Sequence, residues 1–556
     1  MKMNPFIRVL LICLACGISA LSAQVTAPAG RPAIEADIKE LLETEAPAIA
    51  GVDILGHEIV LRVYEDNDFQ LYWSDAENIQ TLIFLIEEAP DHGLLSADYN
   101  IDELRLILAE RRNNPSAMIE AESDVLLTES LLRYAYHRRL GKITPSTIDP
   151  DINYKRQAFQ NQPPSKTLHE LLEATSLRDF IDIVAPSGPF YKGIQQWLSH
   201  YRQLAAEGGW PGVPEGPTLR LGDDDPRVAL IRARLVVTGE LPPDTDPGST
   251  TFDKQLEQAV IAFQARHALE DDGIAGKQTI AAMNVPVEDR INQLRVSLER
   301  IRWVNQEAVQ TFVAVNIASF QAFMYRNGEL EWSTRAMVGK DYRRTPIFRG
   351  DIQYMEFNPT WTIPPTILRN DTLPAIKKDP GYLSSKNIRV IDSNGNFVDP
   401  STVDWSQYSR GVPYSLRQDP GPDNALGMVK FIFPNRHAVF LHDTPHRELF
   451  NRPERAFSSG CIRIENPLKL AELLLTDEHY QGPGFQAIVD SGKTQRIYLD
   501  RPVPVIILYL TTGLDSDGNI LFYKDIYDKD MRVLEALNGP VVLEPPVVET
   551  GVKSLL

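Results

Sequence analysis

Cysteine is scarce in this sequence: Cys13, Cys16 and Cys461 are the three among 556 residues. That scarcity excludes a disulfide-stapled fold and the cysteine-rich zinc modules. An excess of positive charge is missing as well. The formal net charge is −19, which argues against nucleic acid or an anionic membrane surface as the main partner. Long apolar runs are also lacking. Residues 9–21 form the one sustained run, too short to span a bilayer comfortably as an ordinary helix. Lys2 and Arg8 precede or open it, and Ala20-Leu21-Ser22-Ala23 follows as a small-residue exit. The stretch therefore reads as a secretory signal over residues 1–23. Leu21 stands where a small residue is usual, so an uncleaved anchor tethering the chain to an inner membrane remains open. Removal of residues 1–23 takes Lys2 and Arg8 and no acidic residue, giving −19 − 2 = −21.

Cleavage would leave Cys461 alone in an oxidising compartment, without an internal partner. Such a thiol is an intermolecular link, an inert buried group or a reactive one. Its surroundings, Phe457-Ser458-Ser459-Gly460-Cys461-Ile462-Arg463, favour the reactive reading. Upstream lies Ala438-Val439-Phe440-Leu441-His442, an apolar run ending in a base. A nucleophile and a base are the minimum for covalent acyl transfer.

Length suggests about three or four domains, and the periodicity divides the chain accordingly, as a multidomain α+β protein. Residues 24–34 are small and Pro-rich, a linker. Residues 33–204 read as short helices, with helical periodicity over 76–88, 101–111 and 122–136 and a short strand at 58–63. A helical scaffold domain is expected over 24–207. Residues 208–217 carry four glycines and three prolines and mark a boundary. Three helices then follow within 217–285, and 289–304 reads as a connecting helix. From 311 the period becomes two: strands at 311–317, 321–325 and 329–338, the last pair joined at Asn327-Gly328, and another at 352–358. Residues 364–423 interrupt this β-rich domain (300–530). Trp405, Tyr408 and Tyr414 favour an ordered flap there over disorder. Strands resume at 430–433 and 438–441, followed by a helix at 467–475 capped by Asn466 with Pro467 at its first position. A strand at 503–510 turns at Asp517-Gly518, and the tail, 539–556, is irregular.

On a regular strand Phe440 and His442 share a face and Asp443 points away. The Asp443 carboxylate is therefore expected to be a solvated turn group before Thr444-Pro445, not the orienting member of a Cys-His-Asp triad. Ser458-Ser459-Gly460 is a small, glycine-containing approach able to turn backbone N–H groups toward an oxyanion. Arg463, two residues on in extended backbone, would favour a thiolate and bind a substrate carboxylate. A metal site of His437, His442, His446 and Cys461 is the rival. It is disfavoured because His437 and His442, five apart, fall on opposite faces of a regular strand.

These motifs resemble a known family. Phe440-Leu441-His442-Asp443-Thr444-Pro445 and Arg455-Ala456-Phe457-Ser458-Ser459-Gly460-Cys461-Ile462-Arg463 are similar to the signature of L,D-transpeptidases with the YkuD-type catalytic fold, more narrowly the large Gram-negative YcbB-type enzymes. The likeness extends to Val338-Gly339-Lys340, Arg344-Thr345-Pro346, Asn358-Pro359-Thr360-Trp361, Asp379-Pro380-Gly381-Tyr382 and Asp525-Ile526-Tyr527. Separately, Ala259-Val260, Phe263-Gln264, Leu269, Asp272-Gly273-Ile274-Ala275-Gly276 and Thr279 resemble the small three-helix peptidoglycan-binding domain.

The resemblance implies Cys461 as nucleophile and His442 as the base that becomes the acid. The carbonyl of Asp443 would be the third member, and backbone N–H groups of Ser459, Gly460 and Cys461 the oxyanion hole. Arg463, Ser458, Trp361 and Phe440 would serve substrate, the 364–423 insertion would cap the cleft, and no cofactor is called for. The partners would be peptidoglycan stem peptides and, through residues 217–285, glycan strands; the place would be the periplasm of a Gram-negative bacterium. A tetrapeptide stem would be cut at its diaminopimelate–D-Ala bond and passed to a second stem amine as a 3→3 cross-link, and carbapenems would acylate the thiol. An L,D-carboxypeptidase, transfer to an outer-membrane protein amine and a non-catalytic wall-binding scaffold are the other readings. Phe440 stands where relatives often have Tyr, and Ser459 where many smaller members have His.

Overall fold

The computed structural model describes residues 30–156, 176–475 and 482–542, with residues 166, 168 and 172 as isolated positions. The expected signal and most of the tail lie outside them. The scaffold is helical, as its periodicity implies, with one exception. The stretch read as a strand is helix His57–Glu65, because Val60, Val63 and Tyr64 fall at helical spacing and are buried. Its β-branched residues suggest a strand, but packing decides. At the centre lies helix Ala117–Leu140, buried on all sides along most of its length. Its Asp124 carboxylate accepts from Tyr64 Oη (2.5 Å) and from the N–H groups of Tyr72 (3.1 Å) and Trp73 (2.8 Å). Burial pushes its pKa up to about 6.

Three helices, Arg227–Val237, Lys254–Arg266 and Lys277–Met283, enclose a small core of their own. The residues carrying the three-helix resemblance build this fold from within. Gln264, 1% exposed, donates to Asp272 Oδ1 (2.9 Å), Ile274 O (3.0 Å) and Thr279 Oγ1 (3.1 Å), and accepts from Gly273 N (2.9 Å).

The β-rich domain closes on itself. Its strands are β1 (Phe312–Asn316), β2 (Gln321–Arg326), β3 (Glu329–Gly339), β4 (Phe348–Phe357), β5 (Val429–Ile432), β6 (Leu441–His442), β7 (Ala456–Ser458), β8 (Ile462–Ile464) and β9 (Gln495–Leu508). They pair in the order β7-β3-β8-β6-β5-β4-β9-β1-β2, and β2 also pairs with β3. Eight strands thus form a ring around an apolar core, with β7 added beside β3. Closure removes the exposed edges an open sheet would carry. The strand expected at 438–441 shrinks to Leu441–His442, because Ala438 takes the left-handed conformation (φ 53°) and breaks the alternation. Asn466 does not cap the helix Pro467–Leu474; its amide donates to Thr334 Oγ1 instead (3.3 Å).

Between β4 and β5 the insertion, expected to be a cap, folds as a small unit of its own. Four short strands, Trp361–Thr362, Ile388–Ile391, Phe397–Val398 and Ser415–Gln418, make its sheet, and Ile363, Ile376, Val390 and Leu416 belong to a separate core. Asn358, at φ 46°, pins its base by donating to the carbonyls of Ile488 (2.8 Å), Val489 (3.1 Å) and Lys493 (3.2 Å).

Helix Val287–Val304 joins these parts. Its Glu299 is fully buried and accepts from Ile143 N (2.8 Å), Trp303 Nε1 (3.0 Å) and Arg302 Nη1 (3.0 Å). Residues 152–154 continue the attachment: Tyr154 Oη donates to Ile507 O on β9 (2.7 Å). Glu299→Ala should therefore destabilise the protein by about 3–5 kcal/mol, since it strands the Arg302 charge and the Ile143 N–H in the interior. Chemical denaturation of the two proteins measures this, and a loss below about 1 kcal/mol would contradict it.

Candidate active site

The site rests on a parallel pair of two short strands. Leu441 is opposite Ile462 and His442 opposite Arg463, and Ile462 N donates to Phe440 O (3.1 Å). Leu441 and Ile462 are both fully buried in the barrel core. Side chains alternate along a strand. Phe440 and His442 on one chain, and Cys461 and Arg463 on the other, therefore share the opposite face. The Phe440 and His442 rings lie 5.6 Å apart.

His442 Nδ1 donates to its neighbour's carbonyl, Asp443 O, at 2.5 Å. That assignment leaves Nε2 unprotonated and free to take a proton. Burial drives the imidazole pKa down to about 3, helped by the Arg463 and Lys430 charges and opposed by the carbonyls of Asp443 and Leu426. His442 is thus neutral at neutral pH. It costs stability as pH falls from its ordinary 6.5 toward 3, because the unfolded chain binds the proton first. Burial also raises the half-buried Cys461 thiol above its ordinary value; the Phe440 N–H and the Arg463 charge oppose this. The resting pair is therefore thiol and neutral imidazole.

Asp443 corrects the sequence reading. It is 2% exposed, not solvated. Its carboxylate accepts from Met428 N (2.9 Å) and pairs with Arg447 (3.1 Å). Gly427, at φ +62°, makes room for it: a Cβ there would lie 2.4 Å from Asp443 Oδ2. The aspartate contributes its carbonyl to the imidazole and uses its carboxylate to hold the 427–428 backbone.

The Cys461 loop departs from expectation in one donor. Gly460 N already donates to Ser458 Oγ (3.0 Å), and Ser458 Oγ donates to Cys461 O (2.5 Å). The N–H groups of Ser459 and Cys461 meet no acceptor among the described residues. Gly460 instead provides the turn, at φ +115°. Arg463 is largely buried, and its Nε has no acceptor among the described residues. Trp361 packs on the cap core; among the described residues no contact joins it to the Cys461–His442 group. The metal set is not assembled. His437 lies against Phe348 (4.9 Å between ring centres) and His446 beside Glu448 (3.6 Å).

Several contributors had motif positions but no assigned role. Thr345 Oγ1 donates to Gly460 O (2.9 Å) and accepts from Gly339 N (2.8 Å). Tyr527 Oη donates to Gly339 O (2.5 Å) and accepts from Thr345 N (3.2 Å). Glu356 pairs with Lys430 (2.7 Å), the residue opposite His442 on β5, and with Arg496 (2.6 Å). These bonds span long sequence separations, so no local pattern announces them.

Comparison with known proteins accords with this geometry. Residues 310–506 match the model described as "L,D-transpeptidase catalytic domain". The chain carries an L,D-transpeptidase catalytic domain. Residues 58–198 match a "Scaffold domain" and 224–283 a "Putative peptidoglycan binding domain". A "Putative L,D-transpeptidase" of Haemophilus influenzae is 36% identical over 272 residues, 48% of this chain and 55% of that protein. The N-acetylmuramoyl-L-alanine amidase CwlM of Mycobacterium tuberculosis is 39% identical over 80 residues, 13% of this chain and 20% of that one. The chain thus spans about half of the first relative's length and a fifth of the second's. A solved L,D-transpeptidase from Xylanimonas cellulosilytica aligns at 16% identity, covering 53% of this chain and 98% of its own. Its TM-score is 0.17.

A resting thiol, whose Sγ donates to Ala438 O (3.8 Å), on the same face as a neutral imidazole makes a clear prediction. Alkylation of Cys461 by iodoacetamide should accelerate steadily as pH rises past the ordinary thiol range, and His442→Gln should leave that rise nearly unchanged. A plateau beginning below pH 7 and lost in the variant would instead reveal a preformed thiolate–imidazolium pair.

Proposed function

We propose that this protein is a peptidoglycan L,D-transpeptidase of the Gram-negative periplasm, with Cys461 as nucleophile and His442 as general base. The observation that carries the reading is the shared face of Cys461, His442 and Arg463, set by the parallel register of β6 and β8. The transpeptidase and peptidoglycan-binding matches support the substrate class.

In this reading Cys461 Sγ attacks the carbonyl of the diaminopimelate–D-Ala bond in a tetrapeptide stem. His442 Nε2 takes the thiol proton as the bond forms. The raised thiol pKa and the depressed imidazole pKa place that transfer inside the attack, when the incoming carbonyl carbon stabilises the sulfur. Ser459 N–H and Cys461 N–H receive the oxyanion, with Gly460 shaping the turn between them. The imidazolium then protonates the departing amine of D-Ala, leaving a thioester. An amine of a second stem, deprotonated by His442, attacks the thioester and restores the thiol, forming the 3→3 cross-link. Arg463 orients a stem carboxylate near the reacting carbonyl, and Phe440, whose ring lies 5.6 Å from that of His442, lines the approach.

The test is incubation with purified tetrapeptide stems, followed by muropeptide analysis and intact-mass measurement. Tripeptide–tripeptide dimers and a Cys461 acyl adduct are expected. Cys461→Ala should abolish both, and His442→Ala should slow turnover about 10³-fold. Tripeptide monomers alone would assign a carboxypeptidase. Unchanged behaviour of Cys461→Ala, with no adduct to stems or to a carbapenem, would leave a non-catalytic wall-binding protein.

A further inference from the structure

The segment from Lys340 to Thr345 follows β3 and wraps the nucleophile loop residue by residue. Lys340 N donates to Ser458 O (3.1 Å) and Thr345 Oγ1 to Gly460 O (2.9 Å). Between them, Arg343 reaches the remaining member: its Nη1 donates to Ser459 Oγ at 2.8 Å. The same nitrogen donates to Asp371 Oδ2 at 2.7 Å. Asp371 belongs to the cap, in the Leu368–Thr372 turn. Arg343 is thus a side chain bonded to both the nucleophile loop and the cap. Both of its partners lie at the surface: the Asp371 side chain is 51% exposed against 16% for Arg343, and Ser459 is exposed as well. The cap end of the tie therefore opens more easily than the buried backbone bonds around it. The backbone at this point is also crowded. A Cβ on Gly339 would lie 2.1 Å from Arg343 O, so the wrapping segment has little freedom to adjust by itself.

We infer that Arg343 is a positioning residue that couples the cap to the nucleophile loop, so that seating of the cap fixes the backbone at Ser459. The inference rests on the proposed role of Cys461 and deepens it. Ser459 N–H is one of the two unoccupied donors beside the thiol. A guanidinium holding the Ser459 hydroxyl limits rotation of that peptide, and Asp371 holds the guanidinium. With the cap displaced, Arg343 loses its anionic partner, and the donor geometry loosens without any change at Cys461 or His442.

Asp371→Asn and Asp371→Ala, which touch no atom of the nucleophile loop, should speed amide hydrogen exchange across residues 457–461 by up to about fivefold. They should slow thioester formation on tetrapeptide stems by a similar factor, chiefly through kcat rather than KM. Arg343→Ala should do at least as much, and Arg343→Lys should recover part of the loss. In the Arg343→Ala background, Asp371→Ala should add nothing, because the tie is already cut. Loop exchange unchanged in both Asp371 variants, or losses that simply add in the double variant, would overturn the coupling. Hydrogen exchange needs no turnover. If the wild-type protein fails to acylate, the reading of the site fails, while the exchange result still decides the coupling.

Discussion

The structure depends on a two-residue parallel pairing, Leu441–His442 against Ile462–Arg463. A ladder this short contributes little energy by itself. Its register is fixed because Leu441 and Ile462 must both enter the closed barrel, and a slip of one residue would turn His442 into the core. The hydrophobic effect therefore sets the geometry of the candidate site indirectly. Burying one pair of apolar side chains leaves a base, a thiol and a guanidinium no choice but the other face. Ring closure through β2 and β3 makes the frame stiff enough for the register to hold.

Around that frame the polar groups are satisfied in a particular division of labour. Backbone and small side chains hold the Cys461 loop: Ser458 occupies Gly460 N–H, Thr345 takes Gly460 O, and Tyr527 fixes the strand end that presents Thr345. Charges are kept off the reacting pair. Lys430, opposite His442, is neutralised by Glu356, and the Asp443 carboxylate is turned to backbone N–H groups and Arg447. What remains beside the thiol is the Arg463 charge, which lowers the cost of the thiolate while also resisting a permanent imidazolium at His442. One positive group thus favours a thiolate at Cys461 and disfavours a standing imidazolium at His442.

Much of this was legible in the sequence, and the limits are physical. The solitary thiol, the base at the end of an apolar run and the Ser-Ser-Gly approach are local features, and local features survive without an alignment. The hairpin at Asn327-Gly328 and the connecting helix were read for the same reason. The strand before His442 was over-read, because nothing in Ala438-Val439-Phe440 signals the left-handed turn at Ala438. Over residues 58–63, Ile59, Val60 and Val63 favour a strand by themselves, whereas burial of Val60, Val63 and Tyr64 together requires the helix His57–Glu65. The burial of Asp443 leaves no local trace, because its shelter, Gly427 and Met428 N, comes from another strand's approach. Thr345, Tyr527 and Arg343 act on Gly460, Gly339 and Ser459 across more than a hundred residues of sequence. Only closure of the barrel brings them together.

The three-helix module poses a different question, because its motif residues are consumed inside it. Gln264 spends its amide on the turn at Asp272–Ile274 and on Thr279, so those residues account for the fold and leave ligand recognition to others. The module is also not a loose appendage. His267 is stacked between Phe263 (3.9 Å) and Phe522 (5.5 Å), and Arg290 of the connecting helix lies over Phe522 (4.5 Å). Phe522 belongs to the Thr512–Leu514 and Ile520–Phe522 hairpin just after β9. A charged imidazole in this stack would face Arg290, Arg234 and Arg266, and burial already pushes the His267 pKa well below its ordinary value. The contact is therefore apolar in character and insensitive to pH near neutrality. The module is thus tied to the hairpin after β9 through Phe522, and deleting it would expose Phe522 rather than merely remove a binding function. A surface substitution on the module, leaving Phe263, His267 and Arg290 in place, separates recognition from structure in a way that truncation does not.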